Sequence, residues 1–227
     1  MPSSSSLLSS VQKHYHDYVV KGGDGPTVWK ERAKDLGYDE DFLTASSASP
    51  QQGKHDNDLS LWEDLFQASC GSGCPLRLHM PQKGDTVMDL GCGAGHDVVL
   101  ARHAVGSTGK VVGIDFCSAM ISAAHENIQN CRTKFGWNEN DDESIVLVEA
   151  TFDSPDNGSL LSEYHESVDI VTFNGVLNLC RDKKQVFATI FQLLKAGGRF
   201  VLSDVCRMET ANPHARIACS VGDVFSS

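Results

Sequence analysis

Two carboxylates and three glycines stand close together near the middle of the chain. They read Asp89-Leu-Gly91-Cys-Gly93-Ala-Gly95, followed by Asp115 twenty residues after Gly95. Glycines at alternate positions make a tight turn without side chains, so a ligand can approach the backbone closely. An acid ending the next strand can accept two ribose hydroxyls. Many nucleotide sites share such a turn, but two details narrow the choice. Asp89 precedes the first glycine by two residues, and the spacing is G-x-G-x-G rather than the G-x-G-x-x-G of dinucleotide sites. A pyrophosphate needs its helix N-terminus free of carboxylates. A sulfonium nucleoside with an amino group tolerates one. The pattern therefore favours S-adenosylmethionine.

Eight cysteines, at 70, 74, 92, 117, 131, 180, 206 and 219, form the second reactive set. Disulfide scaffolds are short and secreted, and this chain of 227 residues is neither short nor headed by a basic, apolar signal. The first arginine is Arg32, which argues against a mitochondrial presequence. The expected compartment is the cytoplasm, with reduced thiols. His14 and His16 are two apart and do not share a helix face. Cys70-Gly-Ser-Gly-Cys74 is half of a zinc knuckle without a second pair, so no metal centre is expected.

These residues need a frame to position them. From Thr86 to Ser203 short apolar runs alternate with helical patterns: Thr86–Leu90, Lys110–Ile114, Ile145–Val148, Val168–Phe173 and Arg199–Ser203 as strands. Between them, Asp97–Val105, Ser118–Phe135 (Ser118 as N-cap) and Lys183–Lys195 have helical spacing, the last stopped by Gly197-Gly198. Solid apolar strands are covered on both faces, and this alternation gives an α/β fold with a doubly wound, mostly parallel sheet. Its ligands bind beyond the carboxyl ends of the strands. Upstream, residues 1–10 are expected to lack regular structure. Val11–Val20 and Leu59–Gln67 have the spacing of short helices, and 35–60 reads as acidic loop or linker. With 19 basic and 30 acidic residues, the formal net charge of -11 argues against nucleic-acid binding. No apolar run approaches the roughly 20 residues of a membrane span.

Asp89–Gly95 with Asp115 resembles the class I S-adenosylmethionine-dependent methyltransferases. That resemblance implies that Asp89, Gly91, Gly93, Gly95, Asp115 and Phe116 bind the cofactor. It also implies that Ala150, Thr151, Phe152 and Asp153 flank the adenine and that Asn174 lies under the methionine part. The resemblance extends to the arsenite methyltransferases through several segments. They are Leu90–Asp97, Val105–Asp115, Asn174-Gly-Val-Leu-Asn-Leu-x-x-Asp-Lys183, Leu193-Leu-Lys-Ala-Gly-Gly198 and Ser203-Asp-Val205. The opening Val11-Gln-Lys-His-Tyr15, Gly73-Cys74-Pro75 and Ala218-Cys219 are similar to that family's first helix and two of its catalytic cysteines. On this resemblance residues 73–227 are the methyltransferase domain and 1–72 an N-terminal extension with short helices and an acidic linker.

The implied chemistry is thiophilic. Trivalent arsenic takes soft thiolates, here Cys74 and Cys219. Its lone pair attacks the methyl carbon in line with the departing sulfur, so no general base is needed and positioning dominates. The family has a cysteine directly after the fourth-strand asparagine, where this chain has Gly175. Cys180, Cys70 or glutathione then stands in as third sulfur. Glutathione or thioredoxin is the expected reductant, and the acceptor a small molecule. The family also continues past the fifth strand, so a fold truncated after that strand is expected. Two other readings stay open: a methyltransferase for a thiol, quinone or sterol, favoured by Gly175, and an inactive short form.

Overall fold

The aliphatic runs that lack polar alternation form the centre of a five-stranded parallel sheet in this computed structural model. The structure describes residues 4–21, 33–38, 42–43, 65, 71–137, 144–154 and 161–205. In chain order the elements are α1 (Ser4–Val20), α2 (Pro75–Leu78), β1 (Thr86–Leu90), α3 (His96–Val105), β2 (Lys110–Asp115), α4 (Ser118–Phe135), β3 (Ile145–Glu149), β4 (Val168–Asn174), α5 (Lys183–Leu193) and β5 (Leu194–Ser203). The strand order is β3-β2-β1-β4-β5, all pairs parallel. Order reverses between β1 and β4, and that switch point opens a crevice at the strands' carboxyl ends.

Alternate residues of each strand serve opposite layers. Val87, Val111 and Ile170 pack with Val98 and Val99 of α3 and with Ile128 and Phe135 of α4. Met88, Leu90, Val112, Ile114 and Val171 pack with Val186, Ile190 and Leu193 of α5. The strands β1, β2 and β4 are buried almost throughout, as their composition predicts. β5 is not: Phe200 is 45% exposed, and Phe191 of α5 beside it 82%.

Three local expectations are corrected. The first helix begins at Ser4, not Val11. Val11 is buried, and Tyr15, Tyr18 and Val19 pack against Ala94, Cys117 and Met120. Docking that face stabilises a helix that propagates backward more easily than it nucleates. Ser118 is not the N-cap of α4; that position is Cys117, whose N–H is taken by Asp115 Oδ1 at 2.9 Å. Gly197-Gly198 does not stop a helix. Helix α5 ends at Leu193 and β5 starts at once, pairing Leu194 with Val168 and then Arg199 with Ile170. The extra residues on β5 form a bulge, and Gly197 takes its left-handed turn at φ 83°.

The expected helix at Leu59–Gln67 lies outside the described residues apart from Leu65, as does most of 35–60. The described parts of that stretch do not run free. Tyr38, Leu43 and Leu65 are buried in the layer under α3.

Candidate functional site

The turn after β1 needs its glycines. Gly91, Gly93 and Gly95 have φ of 82°, 51° and 85°, where side chains other than hydrogen are strained. Gly91 and Cys92 both donate to Ile114 O, at 2.7 and 2.9 Å, which pins the turn to the end of β2. A Cβ at Gly91 would collide with the side chain of Val176. Gly95 faces α4, where a Cβ would lie 3.1 Å from Ala124. It lets helix and turn pack, whereas Gly91 and Gly93 face the crevice.

Asp115 closes the turn from the neighbouring strand. Its Oδ2 accepts the Gly93 N–H at 2.9 Å while Oδ1 accepts that of Cys117. Burial raises its pKa above the usual carboxylate value, and these backbone donors pull it back. Asp89, on β1, is 2% exposed and its Oδ1 has no hydrogen-bond partner. Burial first, then Asp97 and Asp115, hold its pKa well above the ordinary value. Burial lowers the pKa of His96, against the opposing charge of Asp97.

The crevice runs from the glycine turn, past Asp89, Asp97 and Asp115, to Phe116, Phe152 and the Asn174-Gly175-Val176 bend. It encloses about 620 Å³ of atom-free space, part of it open to solvent. Among the described residues, three carboxylates line it and no lysine or arginine does. That imbalance, with a buried carboxylate oxygen left unpaired, suits a cationic ligand. The residues therefore fit a sulfonium nucleoside carrying an ammonium group. A second pocket adjoins it, sharing Phe116, Phe152, Val176 and Leu179 and adding Thr151, Asp153, Cys180 and Arg181. Helix α1 borders both, with Tyr15 on the first and Val11 on the second.

The sequence-derived site residues are thus brought together unevenly. Asp89, Gly91, Gly93, Asp115, Phe116, Phe152 and Asn174 share the crevice, and Thr151 and Asp153 lie next door. Cys180 belongs to the second pocket, where burial and Asp153 push its thiol up to about 12. Cys74 lines neither pocket; it is buried in one cluster with Tyr38, its thiol pushed up to about 12 by burial and Asp97. Cys70, Cys206 and Cys219 fall outside the described residues. Among the described residues, Cys74, Cys92, Cys117, Cys131 and Cys180 form no disulfide. No helix there is long and apolar enough to cross a membrane.

Sequence reasoning missed Tyr38 and Asp97. Asp97 looked like an ordinary acid in the first turn of a helix, where the dipole favours one. Tyr38 follows Gly37 in a polar stretch, and no periodicity marks it as buried.

Comparison with known proteins agrees with this geometry. The family description of a methyltransferase domain matches residues 81–223. The chain is 35% identical over 162 residues to an arsenite methyltransferase of Halobacterium salinarum, covering 71% of this chain and 38% of the relative. It is 31% identical over 133 residues to an arsenite methyltransferase of Mus musculus, covering 59% and 34%. The chain thus spans under two fifths of the length of these curated relatives. A crystal structure of an arsenic(III) S-adenosylmethionine methyltransferase from Chlamydomonas reinhardtii superposes with a TM-score of 0.52 at 29% identity, over 60% of this chain and 43% of that one. With its crevice, its sheet order and this match together, the chain belongs to the methyltransferase-domain family, in the class I form whose cofactor is S-adenosylmethionine.

Proposed function

We propose that the protein transfers a methyl group from S-adenosylmethionine to trivalent arsenic held by cysteine thiolates, a detoxification chemistry. The observation that carries this reading is the link between crevice and thiol. Asn174 lines the crevice, and its Oδ1 accepts the backbone N–H groups of Ser72 and Gly73, at 2.8 and 3.2 Å, next to Cys74. Similarity to relatives named arsenite methyltransferases supports it.

S-adenosylmethionine, when bound, supplies an electrophilic methyl on a positively charged sulfur. The chain's residues supply its seat. Asp115 takes the ribose hydroxyls, and the backbone at Gly91 and Gly93 meets the methionine part, with Gly95 packing the turn onto α4. Asp89 receives the ammonium group with its unpaired oxygen. Phe116, Thr151 and Phe152 flank the adenine, and Asn174 lies under the methionine part. Cys74 and Cys219 are the arsenic ligands. Cys180 shares its pocket with Thr151 and Phe152, on the nucleoside side, so glutathione is the better third sulfur. Glutathione or thioredoxin keeps the thiols reduced, which suits the cytoplasm. The Cys74 thiol, with its pKa near 12, must lose its proton on binding arsenic.

The test is incubation with arsenite, glutathione and methyl-labelled cofactor. Labelled methylarsenicals are expected, with a loss of at least tenfold in Cys74→Ser and in Cys219→Ser. Unchanged turnover in both variants rules out thiolate-bound arsenic. One observation favours another small acceptor. Gly175 stands at φ 73° and donates its N–H to Ser203 O at 2.8 Å, a conformation that disfavours the cysteine the family places there. Label transfer to a thiol or quinone without arsenite selects that reading.

A further inference from the structure

Beneath the crevice lies a polar cluster whose central member comes from the 33–38 segment. Tyr38 is 3% exposed, its ring edge-on to His96 at 5.3 Å and to Phe42 at 6.5 Å. Its hydroxyl donates to Asp97 Oδ1 at 2.8 Å. With its hydrogen so committed, the oxygen accepts, from Asn174 Nδ2 at 2.8 Å and from His96 Nε2 at 3.0 Å. Burial and the Asp97 charge keep the phenol protonated and able to donate.

This polarity decides which way the Asn174 amide points. Nδ2 also lies 2.9 Å from Asp97 Oδ2 and 2.7 Å from Gly73 O, so its two hydrogens are shared among three acceptors. A reversed amide would set its oxygen against a carboxylate, a carbonyl and a hydroxyl oxygen already accepting, a costly arrangement when buried. Oδ1 is left facing the 71–74 loop, where it accepts from Ser72 and Gly73. That loop docks tightly. A Cβ at Gly71 would come within 2.5 Å of Asn174 Nδ2, and one at Gly73 would collide with the Ser203 side chain.

We propose that Tyr38 is a positioning residue for the acceptor side of the site: acting through Asn174, it fixes the loop that carries Cys74 against the tips of β4 and β5. Its catalytic consequence rests on the reading of Cys74 as an acceptor ligand; the placement of the loop does not.

Tyr38→Phe keeps the ring and deletes the hydroxyl. The readout is peptide-resolved alkylation of the full-length, cofactor-free protein by iodoacetamide at pH 8. Cys74 is expected to react at least tenfold faster than in the parent, and Cys131, buried on α4, within twofold of it. Buried and held near 12 in the parent, the Cys74 thiol reacts slowly while its loop is docked, so an acceleration confined to Cys74 reports release of the loop. Asn174→Ala is expected to give the same increase, and the double variant to exceed Asn174→Ala by no more than twofold, because coupled residues are not additive. In turnover, the cofactor KM stays within threefold while kcat falls at least tenfold. An unchanged Cys74 rate, equal acceleration of Cys74 and Cys131, or multiplicative effects in the double variant each overturn the proposal. Should Tyr38→Phe not fold, Asp97→Ala removes the group that commits the hydroxyl; because it also removes a charge that raises the Cys74 pKa, the readout there is hydrogen exchange of the Ser72 and Gly73 amides, and exchange within twofold of the parent rejects the proposal. If the parent methylates no arsenic, the proposed function falls while the alkylation result still decides the role of Tyr38.

Discussion

Asp89→Asn should move stability and cofactor affinity in opposite directions. The carboxylate is 2% exposed, has an unpaired oxygen and faces the charges of Asp97 and Asp115. Leaving a buried polar group unsatisfied costs about 1–3 kcal/mol, more when it is charged. An isosteric amide removes the charge and the repulsion, so the cofactor-free variant should gain about 1 kcal/mol at pH 7.5. For a domain of this size that is a rise in Tm of roughly 2–4 °C. The cofactor loses a hydrogen bond to a charged group, about 1.5–3 kcal/mol, which weakens Kd by roughly 10- to 150-fold. Cofactor at a hundred times the parent's Kd stabilises the parent by about 2.7 kcal/mol and the variant by far less. The order of melting temperatures therefore inverts on adding S-adenosylmethionine. The pH dependence follows the same charge. The folded-state pKa of Asp89 is raised, so its protonated form stabilises the cofactor-free fold at low pH. That contribution is fully present below the unfolded pKa near 3.8 and is lost as pH rises through the folded value. Asp89→Asn flattens this decline. A cationic ligand favours the carboxylate, so binding lowers the Asp89 pKa, and proton release on binding, measured by calorimetry in buffers of different ionisation heat, should grow as the pH falls toward the raised folded value. A variant less stable than the parent without cofactor, yet binding it equally well, would refute this electrostatic account.

Two further substitutions probe the turn. Asp115→Ala removes the acceptor for Gly93 and Cys117 and should cost about 1–3 kcal/mol; calorimetry should detect no cofactor binding, and parental affinity would remove Asp115 from the site. Gly91→Ala adds a strain of about 1–2 kcal/mol for left-handed backbone and a collision with Val176. In a Val176→Ala background the collision goes and the strain remains, so thermal denaturation should show partial rescue; full rescue or none contradicts this division.

What could be read from the chain before folding was whatever depends on near neighbours. Val87-Met88 and Val111-Val112 are apolar without alternation because each strand feeds two layers, and that pattern alone implies a parallel sheet covered on both faces. The G-x-G-x-G turn and the place of Asp115 beside it were legible for the same reason: both follow from backbone geometry at one strand end and its neighbour. β5 was harder, because its start depends on pairing with Val168, and a glycine pair reads equally as a helix stop or a bulge. The start of α1 depended on a packing partner, the Ala94–Met120 surface, far along the chain.

The polar cluster under the crevice had no such local signature. Tyr38, Asp97 and Asn174 are 59 and 77 residues apart in turn, and each has an ordinary role in its own stretch: a loop tyrosine, a helix-start acid, a strand-end asparagine. Only the fold makes one hydroxyl proton decide the direction of an amide, and the amide decide the place of a thiol. The two cysteines singled out beside the described site show the same limit. Cys74 and Cys180 are both buried with thiols near 12, so their chemical type is indistinguishable. They differ in what lies next to them. The residue before Cys74, Gly73, donates its N–H to Asn174 of the crevice that holds Asp89, whereas Cys180 lines the adjoining pocket with Thr151 and Asp153. If thiolate chemistry occurs in this protein, that difference in neighbours selects Cys74.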